Sequence, residues 1–84
     1  MKKSKAIMAS IEIKKNEDGF LARVPGVQGA FAEGDTVEEA LFNCIDVTKM
    51  IMEYRKERNE PMGFNEFDLT KNTQITLAFP IGIA

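Results

Sequence analysis

The strongest constraint on this chain is a helix start written into residues 34–41, Gly-Asp-Thr-Val-Glu-Glu-Ala-Leu. Thr36 is a good N-cap residue, and Glu39 three places on completes a capping box: the threonine side chain meets the N3 amide and the glutamate reaches back to the cap. Glu38 and Glu39 also put negative charge at the positive end of the helix dipole. A helix therefore begins next to Thr36, and what precedes it must be turns. Pro25 presets φ near −65°, while Gly26 and Gly29 can take positive φ without a Cβ clash. Strand sequence is thus led through two tight turns and a short strand into a single long helix.

Downstream of Thr36, Val37, Ala40, Leu41, Cys44, Thr48, Ile51, Met52 and Arg55 recur at three- and four-residue intervals, the spacing of one helical face. Basic residues at 55–58 suit the negative end, and Asn59, Glu60 and Pro61 stop the helix. Upstream, residues 6–14 alternate, with Ile7, Ala9, Ile11 and Ile13 against Met8, Ser10, Glu12 and Lys14, which predicts one strand with a buried face. Asp18-Gly19 marks a hairpin, and residues 20–24 continue the alternation. A short third strand is expected around residues 29–33. Residues 63–72 read as a loop clamped by Phe64 and Phe67, and residues 73–79 alternate as a last strand. The expectation is an α+β fold, β-β-β-α-β, with an antiparallel sheet and one long helix on one face, forming a single domain over residues 1–84.

A helix over residues 37–58 would run ~33 Å, against ~23 Å for a seven-residue strand. Met50, Met52 and Tyr54 lie in the excess, where the last strand, the phenylalanine loop or a second chain must cover them. The tail from Pro80 onward is apolar without a period, and because an exposed apolar tail is a liability for a monomer it either folds back or meets another subunit. Met50, Tyr54, Phe79, Ile81 and Ile83 are accordingly the candidate residues of a homodimer or larger homo-oligomer.

Several function classes are excluded or disfavoured. The sequence has no histidine, so no imidazole-activated serine or cysteine can be assembled from it. Its single cysteine, Cys44, falls on the apolar helix face and reads as a small buried hydrophobe. Neither a cysteine pair nor a glycine-rich phosphate loop is present, and no metal or cofactor is expected. A net charge of −2 gives no general attraction to phosphate backbones and favours a basic protein partner. The basic start at residues 1–5 is not followed by a long apolar run, so neither secretion nor membrane insertion is expected, and the setting reads as cytoplasmic.

Asp18, Gly19, Phe20, Ala22, Pro25, Gly26, Gly29, then Gly34-Asp35-Thr36 with Glu38, Glu39, Ala40, Leu41 and Asn43, form an ordered series. That series resembles the HicB-like antitoxin domain over roughly residues 8–59. The resemblance implies a partial ribonuclease H-like fold. It also implies a noncatalytic role as the antitoxin of a type II toxin-antitoxin system, neutralising a small basic HicA-like toxin that cleaves messenger RNA by occluding it. Arg23, Glu33, Asp35 and Glu38 are the candidate partner-binding residues. Full-length antitoxins of that family usually append a DNA-binding segment; this chain ends at Ala84 without one, so no direct DNA binding is expected. The alternative is a stand-alone oligomeric binding or scaffold domain without a toxin. The ribonuclease H-like resemblance also raises a magnesium-dependent nuclease using Glu12, Asp18, Asp35 or Glu39; against it, Glu12 points away from the buried strand face and the other three have turn and cap roles.

Overall fold

The computed structural model describes residues 4–83; the basic start at Met1, Lys2 and Lys3, and the terminal Ala84, lie outside the described residues. Its elements are β1 (Ser4–Ile7), β2 (Glu12–Lys15), β3 (Phe20–Arg23), β4 (Phe31–Gly34), α1 (Val37–Glu57) and β5 (Glu66–Leu69). They form an α+β fold. Strands β2, β3 and β4 make an antiparallel three-stranded sheet in that order, and β1 pairs with β5 in a separate antiparallel ribbon.

The helix begins as its sequence requires. Thr36 is the N-cap, its hydroxyl accepting from the Glu39 amide at 3.0 Å. The Glu39 carboxylate reaches one residue past the cap, accepting from the Asp35 amide at 3.2 Å. At the far end Asn59 adopts φ 55°. There the Asn59 amide donates to Lys56 O at 3.2 Å and the Glu60 amide to Arg55 O at 2.8 Å. That bond pair is a Schellman closure, in which the left-handed residue ends the helix before Pro61 is reached.

Ahead of the helix, Val27 donates to Val24 O and Ala30 to Val27 O, each at 3.2 Å. Gly26 and Gly29 sit at the third positions of these two turns with φ of 86° and 85°, the left-handed geometry that glycine takes without a Cβ penalty. The β2–β3 hairpin uses a different device. Asn16 closes it, its amide donating to Gly19 O at 2.8 Å and its side-chain oxygen accepting from the Gly19 amide at 2.7 Å. Gly19 is not in the left-handed region; glycine is needed there because a Cβ would lie 2.5 Å from Gly34 O. Gly34 in turn lies against the first helical turn, where a Cβ would come within 2.8 Å of the Glu39 carbonyl carbon.

This close approach gives a core of small residues. Ala22, Ala30, Ala40 and Cys44 are buried, flanked by Val24, Val27 and Met52, with Ile11, Ile13, Ala32 and Ile51 packed at the edges. Cys44 is the largest fully buried side chain. Ala40, Cys44, Thr48 and Met52 are one row at four-residue spacing, the middle of the expected apolar stripe.

Two expectations are corrected. Residues 6–14 are not one paired strand: the ladder stops between Ile7 and Glu12, although side-chain burial alternates without interruption through that gap. Side-chain period reports which face is buried, whereas pairing depends on which neighbour lies alongside, and here β1 is met by β5 and β2 by β3. The last strand also lies earlier than expected. Residues 66–69, inside the expected loop, form β5, and residues 73–79 are unpaired despite their alternation. Alternation marks two sides of a segment but names no neighbour, and the edge of β1 is met by residues 66–69 instead.

Replacing Gly34 by alanine is expected to destabilise the fold by about 1–3 kcal/mol, the range for forced overpacking, because the new methyl meets backbone that cannot rotate away. Gly82→Ala, where nothing lies within 4 Å, is expected to change stability by less than ~0.5 kcal/mol. Urea denaturation of the two variants beside the parent chain measures the difference.

Candidate partner-binding surface

With α1 covering one face of the three-stranded sheet, the other face is open. Strand parity decides what stands on it. Ala22 and Ala32 turn inward to the core, so Leu21 and Arg23 of β3, Phe31 and Glu33 of β4, and Glu12 and Lys14 of β2 turn outward. Register sets them in two cross-strand rows, Glu12–Arg23–Phe31 and Lys14–Leu21–Glu33. Arg23 Nε donates to Glu12 Oε1 at 3.1 Å, with both side chains about half exposed, a pair worth little to stability. The Glu33 carboxylate accepts from Asn16 Nδ2 at 3.0 Å, and the Glu33 carbonyl accepts from Asn43 Nδ2 at 3.0 Å. Glu33 is thereby steadied by both the hairpin and the helix.

The structure brings Arg23 and Glu33 onto this one face. Asp35 and Glu38 stand beside it, at the corner where β4 passes into α1. Phe31 is 59% exposed, a large apolar group on the edge strand with Arg23 across from it and Glu33 two residues along. Its alternation with Glu33 was the sequence signal for that placement. Phe42, exposed on the helix, gave a weaker signal by falling outside the apolar stripe.

Met50 and Tyr54 are one turn apart on the outer side of α1 and both exposed. The Arg58 guanidinium lies over the Tyr54 ring at 5.4 Å, so one ring face is already covered. Phe79, Ile81 and Ile83 lie in the irregular segment after β5; Phe79 is half-buried, whereas Ile81 and Ile83 are exposed. The expected interface is therefore two patches on separate elements. Arg55, read from sequence as a helix-face and dipole residue, also donates to Met62 O at 3.0 Å and holds the loop after the helix.

A groove of about 500 Å³ opens on the helix side of the molecule, between α1 and the β1–β5 ribbon. Its floor is apolar, with Ile7, Ala9, Ile11, Ile45 and Met52, and Lys5, Lys49, Glu53, Lys56 and Glu66 stand among its walls. Among the described residues, no three His, Cys, Asp or Glu side chains gather as metal ligands, and no helix is long and apolar enough to cross a membrane.

A UPF0150 protein of Thermoplasma acidophilum is 36% identical over 52 residues, covering 61% of this chain and 75% of that protein. The chain belongs to the UPF0150 family. A second UPF0150 protein, from Synechocystis, is 29% identical over 62 residues, covering 74% of this chain and 85% of its own length. A 14.9 kDa protein from the rep-hol intergenic region of Haemophilus phage HP1 is 36% identical over 50 residues, of which this chain spans 38%. No family model matches the sequence, and no solved structure matches it.

In this UPF0150 chain the one thiol is placed for packing. Cys44 is fully buried, its Sγ 3.9 Å from Ala30 O. Loss of hydration on burial pushes its pKa up, and the Thr48 hydroxyl offsets this in part. A pKa raised by folding means that the folded state favours the thiol. The resulting stabilisation is full below the ordinary value of 9.0 and is lost as pH rises through the higher folded value. Native protein at pH 8 is expected to react with a thiol-specific disulfide reagent at least tenfold more slowly than urea-unfolded protein. Absorbance of the released thiolate follows both rates.

Proposed function

We propose that this UPF0150 chain is a noncatalytic binding protein, a HicB-like antitoxin that neutralises a small basic toxin by covering its RNA-binding or catalytic surface. The family is the one to which HicB-like antitoxins belong. The observation that carries the reading is the open sheet face, on which an exposed Phe31 stands between Arg23 and Glu33 with acidic groups at the adjoining corner. An aromatic anchor with charged groups beside it lets a binding surface gain affinity and orientation together. Inhibition would be steric. Glu33, Asp35 and Glu38 would steer a basic partner toward the sheet, and the protein would act in the cytoplasm, where a toxin that cleaves messenger RNA works.

Co-expression with a small basic toxin-like protein from an adjacent reading frame is expected to give a stable complex and to relieve growth arrest. Phe31→Ala is expected to weaken that complex by about 2 kcal/mol, roughly thirtyfold in Kd. Glu33→Lys would slow association, most at low salt. Absence of both complex and rescue would remove the antitoxin reading and leave a toxin-free scaffold, which the exposed apolar tail favours.

A further inference from the structure

A monomer of 9.4 kDa is expected to expose about 5,000 Å², yet this chain exposes 7037 Å². Its radius of gyration is 14.4 Å, where about 12 Å is usual for this length. The excess of roughly 2,000 Å² is of the size that one subunit gives up in an obligate dimer.

Exposed large apolar side chains stand singly at Met8, Phe31, Phe42, Met50 and Tyr54, and four more follow one another after β5. Ile75, Leu77, Ile81 and Ile83 are 57–92% exposed, in a stretch from residue 72 to 83 that carries no charge. Residues 73–79 keep strict strand alternation but pair with nothing in their own chain. The segment is launched by an ordered turn: the Thr73 amide donates to Thr70 O at 3.0 Å and the Thr70 amide to Thr73 Oγ1 at 2.8 Å. Its departure from β5 is thus fixed before any partner arrives, which lowers the ordering cost of docking.

We propose that UPF0150 chains of this sequence form a homodimer by exchanging these segments, residues 73–79 of each copy lying in the groove between α1 and the β1–β5 ribbon of the other. An uncharged segment can enter the apolar floor, Ile7, Ala9, Ile11 and Met52, without burying an unpaired charge, and the wall charges stay at the solvent rim. Ile75, Leu77 and Phe79, two residues apart, would all point to the floor. The exchange also gives a reason for a helix longer than the strands beneath it, since Met52 forms floor near the helix end.

Light scattering of the full chain at micromolar concentration is expected to give twice the 9.4 kDa chain mass, and a monomer at every concentration overturns the proposal. Leu77→Asp is expected to give a monomer whose helical circular dichroism is unchanged; a folded variant that remains dimeric overturns it. The seat of the segment is read by mixing two differently tagged single variants, Ala9→Cys and Leu77→Cys, and oxidising. A disulfide between the two tagged chains is expected. Its absence, or closure only within one chain carrying both substitutions, overturns the exchange. Each readout is made without a toxin, so failure of the antitoxin reading leaves it untouched, and the reverse.

Discussion

The fold depends on how near the helix can come to the sheet. Gly19 lies against Gly34, and Gly34 lies against the backbone of Glu39 and Ala40; at neither glycine is there room for a single methyl group. Those contacts bring the hairpin, the end of β4 and the first helical turn into one stack. The capping box at Thr36 then sets the direction in which the helix leaves that stack. Strand-to-helix geometry is consequently decided within two residues of chain, which is why so short a sequence can direct a 21-residue helix across the sheet.

Proximity has a cost in core size. A helix held this close leaves space for alanine and cysteine but not for leucine or phenylalanine, and the fully buried positions are accordingly small. Burial stabilises in proportion to the apolar area removed from water, ~25 cal/mol per Å², so a layer of alanines contributes little per residue. Larger apolar groups are displaced to the margins: Ile11, Ile13 and Ile51 to the core edge, and Ile75 and Leu77 to the outside. A chain arranged in this way gains most by burying its margins against a second molecule.

Features encoded by neighbours in sequence were legible: the cap, the helix and its buried row, the glycine turns before β4, and the burial parity of residues 7–14 and of β3. What could not be read was pairing. The alternation of residues 6–14 and of 73–79 is equally strict, yet the first is divided between two partners and the second has none. Residues 66–69 pair although only four alternate, because Lys5 and Asp68 and the rest of the β1 edge receive them. Of the site, Arg23 and Glu33 could be placed on one face by counting in twos. The groove could not be found that way, since it is made by the separation of two sheets that sequence reading joins into one.

The two unoccupied surfaces differ in chemistry and in position. The outer sheet face is mostly charged, with Lys14 on its β2 edge, and exposed lysines discourage edge-to-edge pairing between copies. It suits a partner that must be recognised by charge and later released. The groove and the segment after β5 are apolar, and apolar contact between identical chains suits a lasting assembly. The groove floor belongs to the helix side, because Val24 and Met52 line it while Arg23 and Phe31 face the opposite way. Self-association through the groove therefore leaves the sheet face of each subunit open, and a dimer would present two such faces. A partner bound to the sheet face would not compete with the exchange, because the two surfaces lie on opposite sides of the subunit.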